Sequence, residues 1–172
     1  MKTRQSLTRL GAVLLFGASL FCVRPAQAQS TIDPAKAFAW AENIGWVNFR
    51  PDATNGVSVS STHLSGYAWA ENAGWIHFGS GPSVGTSYSQ VAPDVGVNLS
   101  GSGALDGFAW GENIGWIVFD TDVILGPRAS IALDGTFQGY AWGENVGWIN
   151  LNTGNGVRTL PSTAAVRDWS VY

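Results

Sequence analysis

Aromatic and aliphatic residues alternate with small or polar ones in four closely similar blocks along the chain. The blocks lie at residues 37–49, 66–78, 107–119 and 139–151, and the second reads GYAWAENAGWIHF. Period-two alternation on both sides of a central Glu-Asn-x-Gly predicts a β-hairpin, because successive side chains of a strand point to opposite faces. Asparagine tolerates tight-turn backbone angles and glycine takes a positive φ without steric cost, as a short loop with a bulge requires. We therefore expect four hairpins with their Glu-Asn pairs at the tips.

Short apolar segments precede three of the hairpins and predict one further strand in each of those units. They are residues 56–60 (GVSVS), 96–100 (GVNLS) and 129–133 (ASIAL). Units of two or three short strands bury too little apolar surface to be stable alone, so the copies are expected to pack against one another. The sequence therefore predicts an all-β fold built from four hairpin or three-stranded units.

The two ends of the repeat array share one unit. Residues 30–36, before the first hairpin, contain no such strand, whereas residues 156–160 (GVRTL), after the last hairpin, have its pattern. This split predicts that the segment from Gly156 lies beside residues 37–41 and closes a barrel-, prism- or propeller-like assembly, because closure removes exposed strand edges. The alternative is an open β-solenoid in which residues 152–172 cap the last repeat.

The first 28 residues have the pattern of a secretory signal peptide. Basic residues precede an apolar run at residues 10–23, and the small residues Ala26 and Ala28 supply a cleavage site before Gln29. We expect a single mature domain of residues 29–172, exported to the periplasm, the cell surface or the extracellular space. No later stretch has the roughly 20 consecutive apolar residues of a membrane-spanning helix.

Removal of this leader makes the protein acidic. The leader contains four of the nine Lys and Arg residues and none of the twelve Asp and Glu, which leaves five basic residues against twelve acidic ones and a formal charge of −7. An acidic domain repels the phosphate backbone, so nucleic acid is not expected as a partner.

The mature sequence offers little for catalysis or for a cofactor. Cys22 is the only cysteine and lies in the leader, which excludes thiol chemistry, disulfides and thiolate metal sites. The two histidines, His63 and His77, stand in no recognisable nucleophile context. We expect no enzymatic activity, no catalytic residues, no metal and no cofactor.

A glutamate stands at every predicted hairpin tip. These residues are Glu42, Glu71, Glu112 and Glu144, each followed by asparagine. One tip supplies a single carboxylate and a single amide, short of the roughly six to eight oxygen ligands of Ca²⁺. We expect the asparagine to shape the turn and the glutamate to cap it or to stay in water; cation binding by these pairs is the alternative. Equivalent copies also provide no asymmetric pair of acids, which an enzyme acting on polysaccharide would need.

Eight of the nine tryptophans lie in the hairpins, two in each. In the second strands, alternation places residues such as Val47 and Phe49 on one uniformly apolar face, which is expected to be the core. The opposite face combines a tryptophan with a variable residue. The candidate ligand-binding residues on that face are Trp46, Trp75, Trp116, Trp148, Asn48, His77 and Asn150. Val118 makes the third of these sites the weakest, and the alternative is that these tryptophans also pack in the core. The first-strand tryptophans are expected to pack in the core: Trp40, Trp69, Trp110 and Trp142.

The motif resembles the tryptophan-rich GYAWxENxGWI repeats of secreted and surface proteins of bacteria, a group without a characterised function. The resemblance implies export and a repeated β-structure, and it brings no catalytic residues. With the second-strand tryptophans on the face opposite the expected core, it favours a non-enzymatic structural or binding module of the cell envelope or extracellular matrix, with polysaccharide as the expected partner. The alternatives are an enzyme acting on polysaccharide and a small outer-membrane β-barrel.

Overall fold

The computed structural model describes residues 29–121, 126–154 and 156–161, and the predicted signal peptide lies outside these ranges. The strands within them are β1 (Phe38–Ala41), β2 (Gly45–Asn48), β3 (Val57–Val59), β4 (Leu64–Ala70), β5 (Gly74–His77), β6 (Val97–Leu99), β7 (Leu105–Gly111), β8 (Gly115–Val118), β9 (Ser130–Ile131), β10 (Phe137–Gln138), β11 (Tyr140–Gly143) and β12 (Gly147–Asn150). None of the described residues belongs to a helix long and apolar enough to cross a membrane.

The eight strands of the four hairpins close into an antiparallel barrel. Their order is β2-β1-β12-β11-β8-β7-β5-β4, and β2 pairs with β4 to complete the circle. The hairpins therefore follow one another around the barrel in chain order, and the fourth pairs with the first through Asn150 opposite Trp40. The predicted all-β repeat assembly is confirmed in its closed form, and the open β-solenoid is not formed.

Each hairpin turn takes the short, bulged form predicted from Glu-Asn-x-Gly. In the second hairpin Ala70 pairs with Gly74, the Ala73 N–H donates to the Ala70 carbonyl at 3.1 Å, and Gly74 has a φ of 84°. A turn closed by this bond and followed by a glycine of positive φ is a common three-residue hairpin loop. The x residue of each turn points inward and covers the tip end of the barrel. These buried residues are Ile44, Ala73, Ile114 and Val146.

The additional strands form a second ring of two-stranded ribbons at the other end of the barrel. Strand β3 pairs with the start of β4, β6 with the start of β7, and β9 with β10. Neighbouring ribbons are joined by single bridges, such as Ala104 with Ser130. The three predicted extra strands therefore form, and each pairs with the chain that leads into the next hairpin.

The fourth ribbon joins the two ends of the described chain. The Arg158 N–H donates to the Lys36 carbonyl at 2.9 Å, and the Arg158 guanidinium forms an ion pair with Asp33 at 2.9 Å. The prediction that the segment from Gly156 completes the first unit is confirmed. Its partner is the chain before the first hairpin and not residues 37–41, because β1 is already paired on both edges, with β2 and β12.

Small residues of the first strands and large residues of the second strands fill the barrel interior. Ala39 of β1 is fully buried, together with Val47 of β2 and Phe49, which directly follows β2. The rings of Phe49 and Phe78 meet edge to face with centroids 5.2 Å apart, and Phe78 meets Phe119 in the same way at 5.6 Å. An eight-stranded barrel has an interior only wide enough for side chains. The alanines therefore leave room for the phenylalanines, and the predicted core face of the second strands is confirmed.

Candidate functional site

The outer surface of the barrel carries a belt of aromatic side chains. Seven of the hairpin tryptophans are 38–49% exposed, and Trp148 is partly buried. A phenylalanine or tyrosine from each first strand lies on the same face. The members of this aromatic belt are Phe38, Trp40, Trp46, Tyr67, Trp69, Trp75, Phe108, Trp110, Trp116, Tyr140, Trp142 and Trp148.

The prediction that the first-strand tryptophans pack in the core is wrong. These residues, Trp40, Trp69, Trp110 and Trp142, are 38–41% exposed. Trp40 lies directly opposite Trp46 in the hairpin register, and directly opposed residues of an antiparallel pair share one face. Their indoles meet edge to face with centroids 4.9 Å apart, and the second and third hairpins repeat the contact at 4.9 and 4.7 Å. The three-residue turn dictates this register, so the sequence contained the signal that both tryptophans of a hairpin share a face.

The polar edges of the belt tryptophans are not used by the fold. Within the described ranges, no indole N–H of the eight hairpin tryptophans donates a hydrogen bond to another protein group. A buried indole usually finds such a partner. The described fold therefore leaves these donors without a hydrogen-bond partner, and they remain available to a polar ligand.

The variable residues of the second strands lie at the seams, which are the junctions between consecutive hairpins. Asn48 pairs across the first seam with Trp69, and Asn150 holds the equivalent position between the fourth hairpin and the first. The Asn48 Oδ1 accepts the Arg50 N–H at 2.9 Å, and the Asn150 Oδ1 accepts the Asn152 N–H at 3.0 Å. These amides therefore shape the chain that leaves each strand, and their Nδ2 groups are the part that can serve a ligand.

His77 holds the equivalent position at the seam between the second and third hairpins. Its ring stacks on Tyr67 with centroids 4.5 Å apart and an interplanar angle of 18°, and Nε2 lies 3.2 Å from the Ser80 hydroxyl. Burial lowers the pKa of His77, and a backbone hydrogen bond with Gly79 acts in the opposite direction. Burial therefore disfavours the positively charged imidazolium at this seam. Val118 supplies no polar group at the next seam.

Three of the four turn asparagines donate a hydrogen bond to the preceding hairpin. Their Nδ2 groups donate to backbone carbonyls of the neighbouring tip: Asn72 to Ile44 at 3.1 Å, Asn113 to Ala73 at 3.1 Å and Asn145 to Ile114 at 3.3 Å. Asn43 has the equivalent position at the seam between the fourth hairpin and the first. Its Nδ2 lies close to Gly147, 3.4 Å from the point where a Cβ on that glycine would stand. The expected role of these residues was confined to their own turns. The link between hairpins was missed because neighbours across a seam exist only once the barrel closes.

The strand register at each seam also places the tip glutamate of one hairpin opposite a tryptophan of its neighbour. Between the second and third hairpins Ile76 pairs with Gly111 in antiparallel register. One step further toward the tips, Trp75, which precedes Ile76, therefore lies opposite Glu112, which follows Gly111. The same register places Trp46 opposite Glu71, Trp116 opposite Glu144, and Trp148 opposite Glu42. The four tip glutamates are exposed. This repeated pairing was also missed at the sequence level, for the same reason.

An open groove of about 780 Å³ runs along the seam between the second and third hairpins. Its aromatic walls are Tyr67, Trp69, Trp75 and Trp110, and its polar lining consists of Asn55, His77, Glu112 and Asn113. We call this feature the seam groove. Its volume lies in the range of small-molecule sites, which is about 300–1,000 Å³. The groove brings together two predicted site residues of the second hairpin, Trp75 and His77. From the third hairpin it adds three residues that were not predicted as site residues: Trp110, Glu112 and Asn113.

The other predicted site residues do not lie in this groove, because they belong to the other three seams of the barrel. In the described part of the chain no three His, Cys, Asp or Glu side chains come together as a metal site requires. The chain matches no family model, no curated protein and no solved structure. The belt and the seams are therefore the basis of a functional assignment.

Proposed function

We propose that the mature chain is an exported, non-enzymatic structural or binding module of the cell envelope or extracellular matrix, and that it binds polysaccharide through its aromatic belt. The observation that carries the proposal is the outward exposure of seven hairpin tryptophans at repeated positions of one barrel. An exposed aromatic surface of this extent on a soluble domain is typical of an interaction site.

The chemistry of the belt suits a sugar better than a purely apolar partner. A pyranose ring has an apolar C–H face and a rim of hydroxyl groups. An indole offers a flat apolar face together with an N–H donor, and the belt indoles make no hydrogen bond within the described protein. Amide groups of the seams, such as that of Asn113, lie beside the rings. Stacking and hydrogen bonding are thus available at the same place.

Repetition favours a polymer as the ligand. The four seams have the same register, so they present similar arrangements of aromatic side chains around the barrel. A repeating ligand that reaches two of them gains avidity, because the second contact becomes intramolecular. Each individual site then needs only modest affinity.

The two alternatives receive less support. The four tip glutamates are equivalent by register, so no two of them are distinguished as acid and base for hydrolysis of a glycosidic bond. The barrel strands are four to seven residues long, whereas a strand that crosses a bilayer has about 9–11 residues. Both observations favour a binding module.

The test is a titration of the mature protein with a panel of neutral, acidic and amino polysaccharides, followed by tryptophan emission. We expect at least one to shift the emission, and we expect W75A/W116A to weaken that binding at least tenfold. Leu133→Ala is the matched control, because Leu133 is an exposed apolar residue outside the belt. A panel without any binder, or a double variant that binds like the parent, would overturn the proposal.

A further inference from the structure

The tip glutamates are the acidic side chains that the described fold leaves unused. Each described aspartate accepts a hydrogen bond or forms an ion pair: Asp33, Asp52, Asp94, Asp106, Asp120 and Asp134. Among the described residues, Glu42, Glu71, Glu112 and Glu144 do neither. Contacts among the described residues therefore do not explain why a glutamate stands at all four tips, whereas three of the asparagines beside them bond to the neighbouring hairpin.

The seam register, extended by one residue toward the tips, places each of these glutamates opposite a tryptophan. In the seam groove, Glu112 lies opposite Trp75, and the Asn113 bond to the Ala73 carbonyl at 3.1 Å fixes the tip that carries the glutamate. A carboxylate attracts a cation by its charge, and the face of an indole attracts one through the ring quadrupole. The two groups together favour a positively charged ligand over a neutral one.

Among the described residues, no Lys or Arg side chain competes for this position. The described Lys and Arg residues lie outside the hairpins, and their side chains are bound to carbonyls or carboxylates: Lys36 to Gly154, Arg50 to Ile32, Arg128 to Asp120 and Arg158 to Asp33. Burial lowers the pKa of His77 and so disfavours its positively charged form. The mature chain has five basic and twelve acidic residues. The resulting net negative charge also attracts cations from a distance.

We propose that the seams select a cationic sugar, namely the protonated amino sugar of a polysaccharide, with its ring on the belt and its ammonium group between Trp75 and Glu112 or an equivalent pair. This inference rests on the proposed function, since it assumes that the belt binds sugars. It adds the class of sugar and assigns the repeated glutamates to recognition. One carboxylate and one indole suit an organic ammonium, whereas Ca²⁺ needs several oxygen ligands.

The test compares two oligosaccharides that differ in charge. Tetramers of glucosamine and of N-acetylglucosamine are titrated at pH 6 into the mature protein and into E42Q/E71Q/E112Q/E144Q, with circular dichroism to confirm that the variant is folded. We expect the parent to prefer the glucosamine tetramer by about five- to thirtyfold, the ratio that one cation–π contact and one exposed ion pair supply together. The glutamine variant should lose this preference and retain its affinity for the acetylated tetramer. D120N/D134N removes two carboxylates outside the belt and should retain the preference.

The outcomes separate this inference from the proposed function. Equal affinity of the parent for both tetramers overturns the inference and leaves polysaccharide binding in place. A preference that persists in the glutamine variant, or that D120N/D134N reduces equally, also overturns it, because net charge and not the seam would then be the cause. If neither tetramer binds, the inference fails, and the wider polysaccharide panel decides the proposed function.

Discussion

Replacement of Gly66 with alanine tests the junction between the barrel and the ring of ribbons. Gly66 has a φ of 89°, and a Cβ added there would lie 2.3 Å from the Gly56 carbonyl oxygen. That oxygen also accepts the Tyr67 N–H at 3.3 Å. The chain therefore cannot move away from the new methyl group without weakening the pairing of β3 with β4. In the first hairpin, Ala37 holds this position without a positive φ, so alanine is accommodated there.

The expected loss follows from these contacts. An L side chain in the left-handed region costs about 1–2 kcal/mol. Crowding against a backbone carbonyl adds about 1–3 kcal/mol, and a weakened backbone hydrogen bond adds about 1 kcal/mol. The smaller conformational freedom of alanine in the unfolded chain offsets about 0.4–1 kcal/mol. The free energy of unfolding should therefore fall by about 2–5 kcal/mol for Gly66→Ala.

Gly85→Ala is the matched control for this substitution. Gly85 has a φ of 77°, and a Cβ added to it meets nothing within 4 Å, so only the backbone strain remains, at about 1 kcal/mol after the entropic offset. Urea unfolding followed by far-ultraviolet circular dichroism measures both variants. If the two substitutions reduce the free energy of unfolding equally, the crowding at Gly66 and the reasoning built on it are refuted.

Three further predictions concern the core, the closure and acid. Phe78→Ala should lower the free energy of unfolding by about 3–5 kcal/mol as a core truncation, and Trp46→Ala should lower it less, because about half of that indole already lies in water; equal losses in urea unfolding would place Trp46 in the core. Deletion of the chain from Gly156 onward should lower Tm and promote aggregation, since it opens a ribbon edge, and a truncated protein that melts like the parent would contradict closure. The hydrogen bond from Arg158 lowers the pKa of Asp33 below its usual 3.8, so its stabilising effect is present above that pH and is lost as the pH falls through the lowered pKa. Asp33→Asn should therefore unfold at lower urea than the parent at pH 7, and the difference should shrink as the pH falls below 3.8; a difference that is independent of pH would exclude this origin.

The repeat pattern was sufficient to predict the hairpins, the form of their turns and the sharing of one unit between the chain ends. These features depend on local alternation and on the Glu-Asn-x-Gly turn. The location of the first-strand tryptophans was predicted wrongly, because large aromatic residues were assumed to be core residues. Inside a narrow barrel the first strands contribute residues such as Ala39, and the larger residues of the same strands face outward.

Relations across the seams were beyond prediction from the sequence. The pairing of Trp75 with Glu112 and the bond from Asn72 to Ile44 join residues of different hairpins. Their partners depend on which strand edges meet and in what register, and this follows from closure of the whole barrel. Local patterns give the register within a hairpin but not the register between two hairpins. The positions of the glutamates and turn asparagines relative to the tryptophans could therefore be seen only in the structure.

The central claim is that the aromatic belt is the surface that binds polysaccharide. Hydroxyl-radical footprinting with mass spectrometry, performed on the mature protein with and without a saturating polysaccharide from the panel, measures this directly. We predict that oxidation of Trp75, Trp110 and the other exposed belt tryptophans falls when the ligand is bound, while oxidation of the exposed Leu133 outside the belt is unchanged. A bound polysaccharide that leaves the oxidation of the belt tryptophans unchanged would contradict the account.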